Sequence, residues 1–504
     1  MTRRSKQTIQ TQQTVAPAAA PAAQQANRAA TPRRKRSYSG ADAGRLLADW
    51  QPGASSANPQ VYFDLQTLRN RSRDLLRNNA LAVKGIQSIV SAIVGPGIHP
   101  QPIHADKAVN AKVKAAWMRW ASGELDVEHD RTWATLQTLW VRAMLESGSV
   151  AVRKRLRSPS DGLAAPLQLQ TLEADFVDLW KTEALGEYAH ITMGVEFDAI
   201  GRRVAYWLYR QHPGETMPML STPTYQSIRI PADNVAFLTH VDRPGQVHGV
   251  PWLSPVMALL RQLDQLQRNK LIKTQIEAAF GAFVVPGDET YSSSGDINDG
   301  ASVAVEDSNG DVLDRIEPGL IGILRGGKDI RFPQMSSSAD FEAVVRVYER
   351  EIAAGLRLPY ERLTTDLSTV NYSSYRAGDL EFRRLIMQIQ RQDVIPLLCR
   401  PVWRWFIEAL QLVDPTIHDE VPVRWHCPKF EEIDPAKELA AAETAVKNGF
   451  ASPSMIVGQQ GEDFGEVMAS WAADLQVARD LGLPLAWAPQ AAHQEKTPPP
   501  AETP

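Results

Sequence analysis

Cysteine and long apolar runs are almost missing from this sequence. Its 504 residues include two cysteines, Cys399 and Cys427, and no C-x-x-C spacing joins them. We therefore expect neither a disulfide framework nor a structural zinc site, and a reducing compartment fits this cysteine usage. No apolar run approaches the roughly 18 residues that a bilayer-spanning helix requires, so we expect no membrane span.

An excess of basic charge is missing as well. Lys and Arg number 54 against 58 Asp and Glu, which gives a formal net charge of −4. Proteins that hold phosphates tightly usually carry a basic face. Tight static binding of nucleic acid is therefore disfavoured, whereas contact that lets DNA slide is not. Residues 1–40 differ, because they hold eight Lys or Arg and no acid. We predict a disordered basic arm there, either solvated or touching DNA or another protein.

Motifs for catalysis and metal binding are absent or incomplete. Gly322–Lys328 fits the first seven positions of a phosphate-binding loop, but Asp329 follows where that loop needs Ser or Thr to hold magnesium. A hairpin turn explains the end of this motif better. His240, Asp242 and His248 lie within nine residues, with no fourth ligand at a recognisable spacing. No G-x-S-x-G or H-E-x-x-H occurs. We predict no catalytic, metal or cofactor site, and a protein that is not an enzyme.

The first half of the chain shows an α+β pattern in which helices lead and short strands follow. The length and the hydrophobic content of 43% allow about two to four domains. Apolar positions at helical spacing predict helices near residues 64–94, 113–120 and 133–146, and Gly95-Pro96-Gly97 ends the first. Strands are predicted at residues 149–155, 167–172, 194–197, 204–209, 228–230 and 235–239, with a hairpin turn at 198–201.

The second half contains a helical hairpin. Residues 251–280 predict a helix of roughly 42 Å, followed by strand-like GAFVVP, apolar segments at 312–316, 320–324 and 330–332, and a returning helix at 339–356. A polar connection, 359–374, leads into a long helix, 375–412, which Pro396 and Pro401 would kink or interrupt. Such a hairpin cannot bury all its apolar positions within one chain, which favours packing of copies in a ring or bundle.

The remaining elements are short. A strand is predicted at 421–426, with helices at 435–448, 453–459 and 464–481. The Trp-rich residues 401–406 could stack on bases, but on a helix residues 402, 405, 406 and 409 form one core stripe. We therefore interpret this stretch as core.

Three stretches carry a resemblance to a known family. HVDRPGQVHGVP (240–251) enters the outgoing helix, PYERLT (359–364) with NYSSYR (371–376) precedes the long helix, and RSRDLLRN (71–78) opens the body. Together they resemble the lambda-type family of tailed-phage portal proteins, the head–tail connectors, over residues 60–480. The residues that match the family's motifs are Arg243, Pro244, Gly245, Gln246, Gly249, Pro251, Tyr360 and Arg376. His248 stands where the family more often has Arg, and Tyr375 where it has a small residue.

The resemblance implies a ring, typically of twelve subunits, at one capsid vertex, in the virion and assembled in the host bacterial cytoplasm. It implies an α+β portal fold with a wing (41–250), stem helices (251–280 and 339–357), a clip (281–338), a tunnel loop (359–375), a long kinked wing helix (376–420), a crown (421–485) and a disordered tail (486–504). The implied partners are further copies of the chain, the large terminase subunit, head-completion and tail proteins, the major capsid or scaffold protein, and double-stranded DNA without sequence specificity.

The tunnel loop is rich in neutral hydrogen-bonding groups: Thr364, Thr365, Ser368, Thr369, Asn371, Tyr372, Ser373 and Ser374. Arg362 and Arg376 lie only at its margins. Neutral groups can touch a passing duplex without the counterion-release affinity that would stall it. We therefore hypothesise transient contact with DNA, and the alternative is a connection buried between subunits. Two other classes of protein are alternatives: a packaging ATPase, which the incomplete phosphate-binding loop disfavours, and a minor head or tail adaptor.

Overall fold

The computed structural model of the chain describes residue 49 and residues 52–128, 131–215, 226–286, 320–323, 327–331, 339–368, 372–430, 435–459 and 464–482. The predicted basic arm and Pro-rich tail lie outside these residues. Residues 1–55 and 56–504 form two separate units, and all the described helices and strands belong to the second. No helix in the described part is both long and apolar enough to cross a membrane.

Five α-helices lead the described part of the fold: α1 (Ala57–Tyr62), α2 (Leu65–Asn78), α3 (Ala80–Val94), α4 (Lys107–Arg119) and α5 (Trp133–Ser147). The predicted helix at 64–94 is therefore wrong as a single element. Asn79 has extended backbone angles, and its side chain accepts a hydrogen bond from the Ala82 N–H at 3.0 Å. Asn79 thus caps α3 where a continuous helix was expected. Gly95 ends α3 as predicted, with a φ of 47°.

The described residues before the second half of the chain contain nine strands: β1 (His99–Pro102), β2 (Ser149–Leu156), β3 (Leu167–Glu173), β4 (Glu183–Ala184), β5 (His190–Thr192), β6 (Val195–Phe197), β7 (Arg203–Tyr209), β8 (Ser227–Pro231) and β9 (Val235–Thr239). The six predicted strands are confirmed. The short β1, β4 and β5 were not predicted, because two to four residues show too little alternation.

Strands β2 to β9 form two antiparallel sheets, ordered β3-β2-β9 and β4-β5-β6-β7-β8. They pack face to face through buried side chains that include Ala151, Leu172, Leu208 and Phe237. The predicted hairpin at 198–201 joins β6 to β7. The other face of β2 packs on the helices, since Val150 and Val152 belong to the main core.

The helical hairpin consists of α6 (Met257–Ala279), the small sheet of β10 (Phe280–Pro286), β11 (Leu320–Ile323) and β12 (Gly327–Arg331), and α7 (Ala339–Gly355). Helix α6 begins six residues later than predicted, after turns at Pro251–Val256. The predicted hairpin between β11 and β12 is wrong. Both strands pair with β10, β11 parallel and β12 antiparallel, so β10 lies between them. The predicted segment 312–316 lies outside the described residues.

The long helix is confirmed and starts three residues earlier than predicted. It comprises α9 (Tyr372–Ile389), a π-helical stretch at Gln390–Cys399, and α10 (Arg400–Leu410), and a separate short helix, α8 (Tyr360–Thr364), precedes it. Pro396 lies inside the π-helical stretch, whose wider turns accommodate a residue without a backbone N–H. Val402, Trp405, Phe406 and Ala409 are buried, which confirms the predicted core stripe.

The last described elements are β13 (Val423–His426), α11 (Pro435–Lys447), α12 (Pro453–Gln459) and α13 (Phe464–Asp480), all at predicted positions. Strand β13 pairs antiparallel with β1. One large core joins α3, α5 and α10 to the β3-β2-β9 sheet and to the adjoining ends of α6 and α7. Its largest fully buried side chains are Trp120, Trp133, Trp140 and Trp405. The base of the helical hairpin is therefore fixed in the main core.

Candidate functional site

The candidate site is residues 359–375, which link α7 to α9 and include the first turn of α9, and we refer to them as the connecting segment. Close helix packing fixes its entrance. A Cβ atom at Gly355 would lie 2.3 Å from Cγ1 of Val256, so α7 meets the start of α6 almost without side chains between them. A Cβ atom at Gly85 of α3 would lie 2.7 Å from Cδ1 of Leu356 and 3.3 Å from Cδ1 of Leu363. Two glycines therefore let the end of α7 and α8 itself sit in the core.

An ion-pair network holds α8 against α9. Asp379 is buried, at 1% exposure. Its carboxylate accepts hydrogen bonds from Nε of Arg362 at 2.8 Å and from Nε of Arg383 at 2.6 Å. The Arg362 guanidinium also lies 4.9 Å from the ring centre of Phe382. Arg362, which the sequence analysis places at the margin of the segment, is thus held by Asp379 of α9, and its charge is balanced there.

The described hydroxyl groups of the segment act mainly on the segment itself. Thr364 Oγ1 donates to the Tyr360 carbonyl at 3.0 Å and accepts from the Asp366 N–H at 3.2 Å. Thr365 has a φ of 58° and donates to the Thr364 carbonyl at 2.6 Å. Ser368 Oγ donates to Asp366 Oδ1 at 2.6 Å. The hydroxyl groups of these three residues thus all donate hydrogen bonds to acceptors within the segment, and these bonds shape the turn.

The other predicted contact residues are placed only in part. Thr369 and Asn371 lie outside the described residues. Tyr372, Ser373 and Ser374 form the first turn of α9. Leu367 is 65% exposed, and Arg376 makes no ion pair with any described residue.

The family-motif residues 243–246 form a turn that packs on α1. The side chain of Asn58 donates to the Gly245 carbonyl and accepts from the Val247 N–H, both at 2.9 Å. Gln246 Oε1 accepts from the backbone N–H groups of Asp242 and Arg243, at 3.2 and 3.3 Å. This turn positions the chain before it enters α6.

Gly249 lies in backbone contact with Gly148, the left-handed cap of α5. A Cβ atom at Gly249 would lie 2.4 Å from the carbonyl oxygens of both Gly148 and His240. The Thr239 hydroxyl bridges the two glycines, because it donates to the Gly148 carbonyl at 3.0 Å and accepts from the Gly249 N–H at 2.8 Å. Any side chain at Gly148 or Gly249 would therefore clash with the backbone of the other segment.

His248 is fully buried beside this crossing. Its Nε2–H donates to the Met193 carbonyl at 2.8 Å. Burial lowers the pKa of His248 to about 3, so the ring is neutral. A neutral ring fits this pocket, and His248 is not gathered with His240 and Asp242 into a metal site.

A charged cluster joins the base of the hairpin to the long helix. His240 Nδ1 lies 2.7 Å from Asp393 Oδ2, in the π-helical stretch. Asp242 accepts from Arg357, at the end of α7, at 3.3 Å. Arg357 lies 4.6 Å from the ring centre of Trp252, and its φ is 61°. The cluster therefore connects the chain entering α6, the chain leaving α7 and the long helix.

We expect the His240–Asp393 pair to stabilise the fold more at low pH than at high pH. The hydrogen bond with Asp393 raises the pKa of His240, which burial alone would lower. A raised pKa contributes stability that is complete below the unfolded value of about 6.5 and is lost as the pH rises through the folded value. Replacing His240 with Gln should cost about 1–2 kcal/mol near pH 5.5 and clearly less near pH 8.5. Urea unfolding at both pH values measures this, with His104→Gln, a partly exposed His elsewhere, as the control; equal losses at both pH values would contradict it.

Within the described residues, one trio of potential metal ligands converges: Glu173, Asp175 and His212. Arg73 contacts both carboxylates. Burial alone would raise the pKa of Asp175, but the hydrogen bond from Arg73 and the charges of Arg69 and Arg73 together lower it. Arg69, fully buried, donates through Nε to the Ser147 carbonyl at 2.9 Å. The trio therefore belongs to an ion-pair network that ties α2 to the sheets.

The sequence interpretation missed Asp379 and Gly85. Asp379 lies four residues before Arg383, the spacing of an ion pair on one helix face, and that spacing could have identified it. The contact of Gly85 with Leu356 and Leu363 joins residues far apart in sequence, and the sequence contains no signal for it.

Three comparisons place this arrangement among known proteins. The family model described as phage portal protein, lambda family, matches residues 43–390. A probable portal protein of Halomonas phage phiHAP-1 is 27% identical over 467 residues, which cover 87% of this chain and 86% of that protein. Portal protein B of Escherichia phage lambda is 24% identical over 506 residues, which cover 90% of this chain and 91% of that protein. A chain from the virion of a native gene transfer agent particle is similar in structure with a TM-score of 0.44 and 14% identity, covering 82% of this chain and 95% of that one.

Proposed function

Because the chain belongs to the lambda family of phage portal proteins, we propose that its copies form a ring at one capsid vertex, through which DNA enters and leaves the shell. The family match over residues 43–390 carries this proposal and supports it over a minor head or tail adaptor. We take the ring to have about twelve copies, built on the closed cyclic symmetry that favours repeated head-to-tail contacts. It would be assembled in the bacterial cytoplasm and carried in the virion.

Exposed apolar side chains on the helical hairpin support ring formation. On α6, Leu271 and Ile272 are 59% and 52% exposed; on α7, Val344 and Val347 are 43% and 51% exposed. Over residues 257–275, α6 carries four Lys or Arg and one acid, whereas residues 341–355 of α7 carry three acids and two Arg. Helix α6 of one copy and α7 of the next would therefore attract each other and cover these apolar residues.

In this assignment α6 and α7 are the stem, residues 281–338 the clip and residues 421–485 the crown. The clip would contact the large terminase subunit during packaging, and afterwards the head-completion and tail proteins. The body, residues 41–250 with the long helix, would be the wing that faces the capsid or scaffold protein. The connecting segment would line the channel.

The chemistry of the connecting segment supports brief contact with passing DNA. Between residues 359 and 375 the only charged side chains are Glu361, Arg362 and Asp366, and Arg362 is paired with Asp379. A segment with no unpaired cation lacks the electrostatic affinity that would hold phosphates in place. Since Thr364, Thr365 and Ser368 donate within the segment, we assign the donors toward DNA to residues 371–374.

Electron microscopy of the purified protein, with native mass spectrometry to count subunits, tests the ring. Closed rings with an axial channel wide enough for a DNA duplex are expected. A closed oligomer without a central channel would contradict the proposal. A purified protein that hydrolyses ATP would contradict it too, because turnover would indicate the packaging motor.

Replacing Asn371, Tyr372, Ser373 and Ser374 together with Ala tests the assignment of the segment. Rings should form normally, because Ala favours the first turn of α9, while packaged DNA per particle should fall at least about tenfold. Nuclease-protected DNA can be measured in particles from a phage whose own copy of this gene is deleted. The matched control replaces two exposed polar residues, Thr444 on α11 and Asn448 just after it, with Ala. Unchanged packaging in the quadruple variant would remove the segment from the DNA path.

A further inference from the structure

A cleft at the open end of the two-sheet sandwich carries arginines that the portal role leaves unused. Beyond the apolar contacts between the sheets, Arg153 and Arg155 of β2 face Arg210, which follows β7, across a volume of about 270 Å³. Leu172, Leu208 and Ile228 form its floor. We propose that this cleft binds an acidic segment of a partner protein, with carboxylates on the arginines and a neighbouring apolar side chain on the floor.

The pattern along β2 shows that these arginines are not compensated within the chain. Lys154 points to the opposite face of the sheet, where it lies 2.6 Å from a carboxylate oxygen of Glu408. By contrast, Arg153, Arg155 and Arg210 form no ion pair with any described residue, and no acid lines the cleft. Arg155 is oriented by the neutral side chain of Gln170, with Nε donating to Oε1 at 2.9 Å.

Partial burial makes this arrangement costly without a ligand. Burial, and then the charge of Arg155, lower the pKa of Arg153. Asp178 lies near the cleft through its contact with Tyr209, but it does not pair with the cleft arginines. It is buried and accepts hydrogen bonds from the hydroxyl groups of Tyr209 and Ser227, each at 2.7 Å. Residues 216–225, which lie outside the described part, include no Asp or Glu. An external anion is therefore the expected source of compensation.

The shape of the cleft favours a protein segment over nucleic acid. Its volume admits side chains, whereas the phosphates of a duplex would reach only its rim. A guanidinium binds a carboxylate through two parallel hydrogen bonds, and the floor of two leucines and an isoleucine would bind an apolar side chain of the same segment. DNA contacts would need no such floor.

Fluorescence anisotropy with a labelled peptide of alternating Glu and Leu tests the proposal on the full chain. The double variant Arg153→Gln with Arg210→Gln should bind the peptide at least about tenfold more weakly than the unaltered protein. Rising salt should lower the peptide affinity of the unaltered protein toward that of the variant. The variant should fold normally, since it removes like charges that no described acid balances. Arg210→Gln alone, at an exposed position, provides a second variant that leaves the partly buried Arg153 in place and should weaken binding in the same direction.

The matched control removes two arginines elsewhere, Arg71 and Arg424, both exposed, and should bind the peptide as the unaltered protein does. Equal peptide affinity in the cleft variant and the control would overturn the proposal, as would no measurable binding by the unaltered protein. A short DNA duplex that binds in an Arg153- and Arg210-dependent way, while the peptide does not, would assign the cleft to nucleic acid instead.

Discussion

Replacing Gly249 with Ala should prevent the chain from folding stably. The added Cβ would lie 2.4 Å from two carbonyl oxygens, those of Gly148 and His240, and neither backbone can move alone. Gly148 is the left-handed cap of α5, and Thr239 ties its carbonyl to the Gly249 N–H. Displacing this crossing disturbs α5, β9 and the entry to α6 together. We expect a loss of at least about 3 kcal/mol, measured as soluble yield and urea unfolding.

The same loop and a distant helix offer matched controls for this substitution. Gly245 has a φ of 77° but nothing within 4 Å of an added Cβ, so Gly245→Ala should cost only the strain of the left-handed backbone, about 1–2 kcal/mol. Gly458 on α12 also has open space and no unusual φ, so Gly458→Ala should be neutral or stabilising. If Gly249→Ala cost no more than Gly245→Ala, the crossing would not be the rigid contact described above.

Most elements of this fold follow from local pattern. The strands at 149–156, 203–209 and 235–239 are short runs that contain β-branched or aromatic residues, and the helices at 339–355 and 464–480 repeat apolar residues at helical spacing. Composition identifies these strands, and periodicity identifies these helices. The break at Asn79 was missed because the apolar spacing continues across it, although Asn is a good N-cap. The position of β10 between β11 and β12 depends on pairing, which sequence spacing does not determine.

The motifs pointed to the family, but not to what their residues do. Gly249 and Gln246 match a motif, yet their contacts with Gly148 and the neighbouring N–H groups depend on tertiary structure. The polar side chains of Thr364 and Ser368 predict, from the sequence alone, groups that contact DNA. The structure shows that both donate within the segment. Composition gives the hydrogen-bonding capacity of a loop, whereas only geometry shows which groups are already used.

Replacing Asp379 with Ala should destabilise the protein and displace the connecting segment. Asp379 is buried and binds both Arg362 and Arg383. Removing the acid leaves the partly buried Arg362 without its carboxylate, and breaking such a pair is far more costly than losing one at the surface. We expect a loss of about 2–4 kcal/mol, allowing for the partial exposure of Arg362. Urea unfolding measures the loss. The free energy of unfolding of Asp379→Asn should lie between that of the unaltered protein and that of Asp379→Ala.

Glu381 is the matched control, since it is an exposed carboxylate two residues along the same helix, and Glu381→Ala should change stability by less than about 0.5 kcal/mol. A double-mutant cycle with Arg362→Ala isolates the pair, because the second substitution should cost little once Asp379 is gone. If α8 positions the segment, Asp379→Ala rings should also retain less DNA, although residues 371–374 are unchanged. Normal DNA retention in destabilised rings would show that the segment reaches the channel without the support of α8.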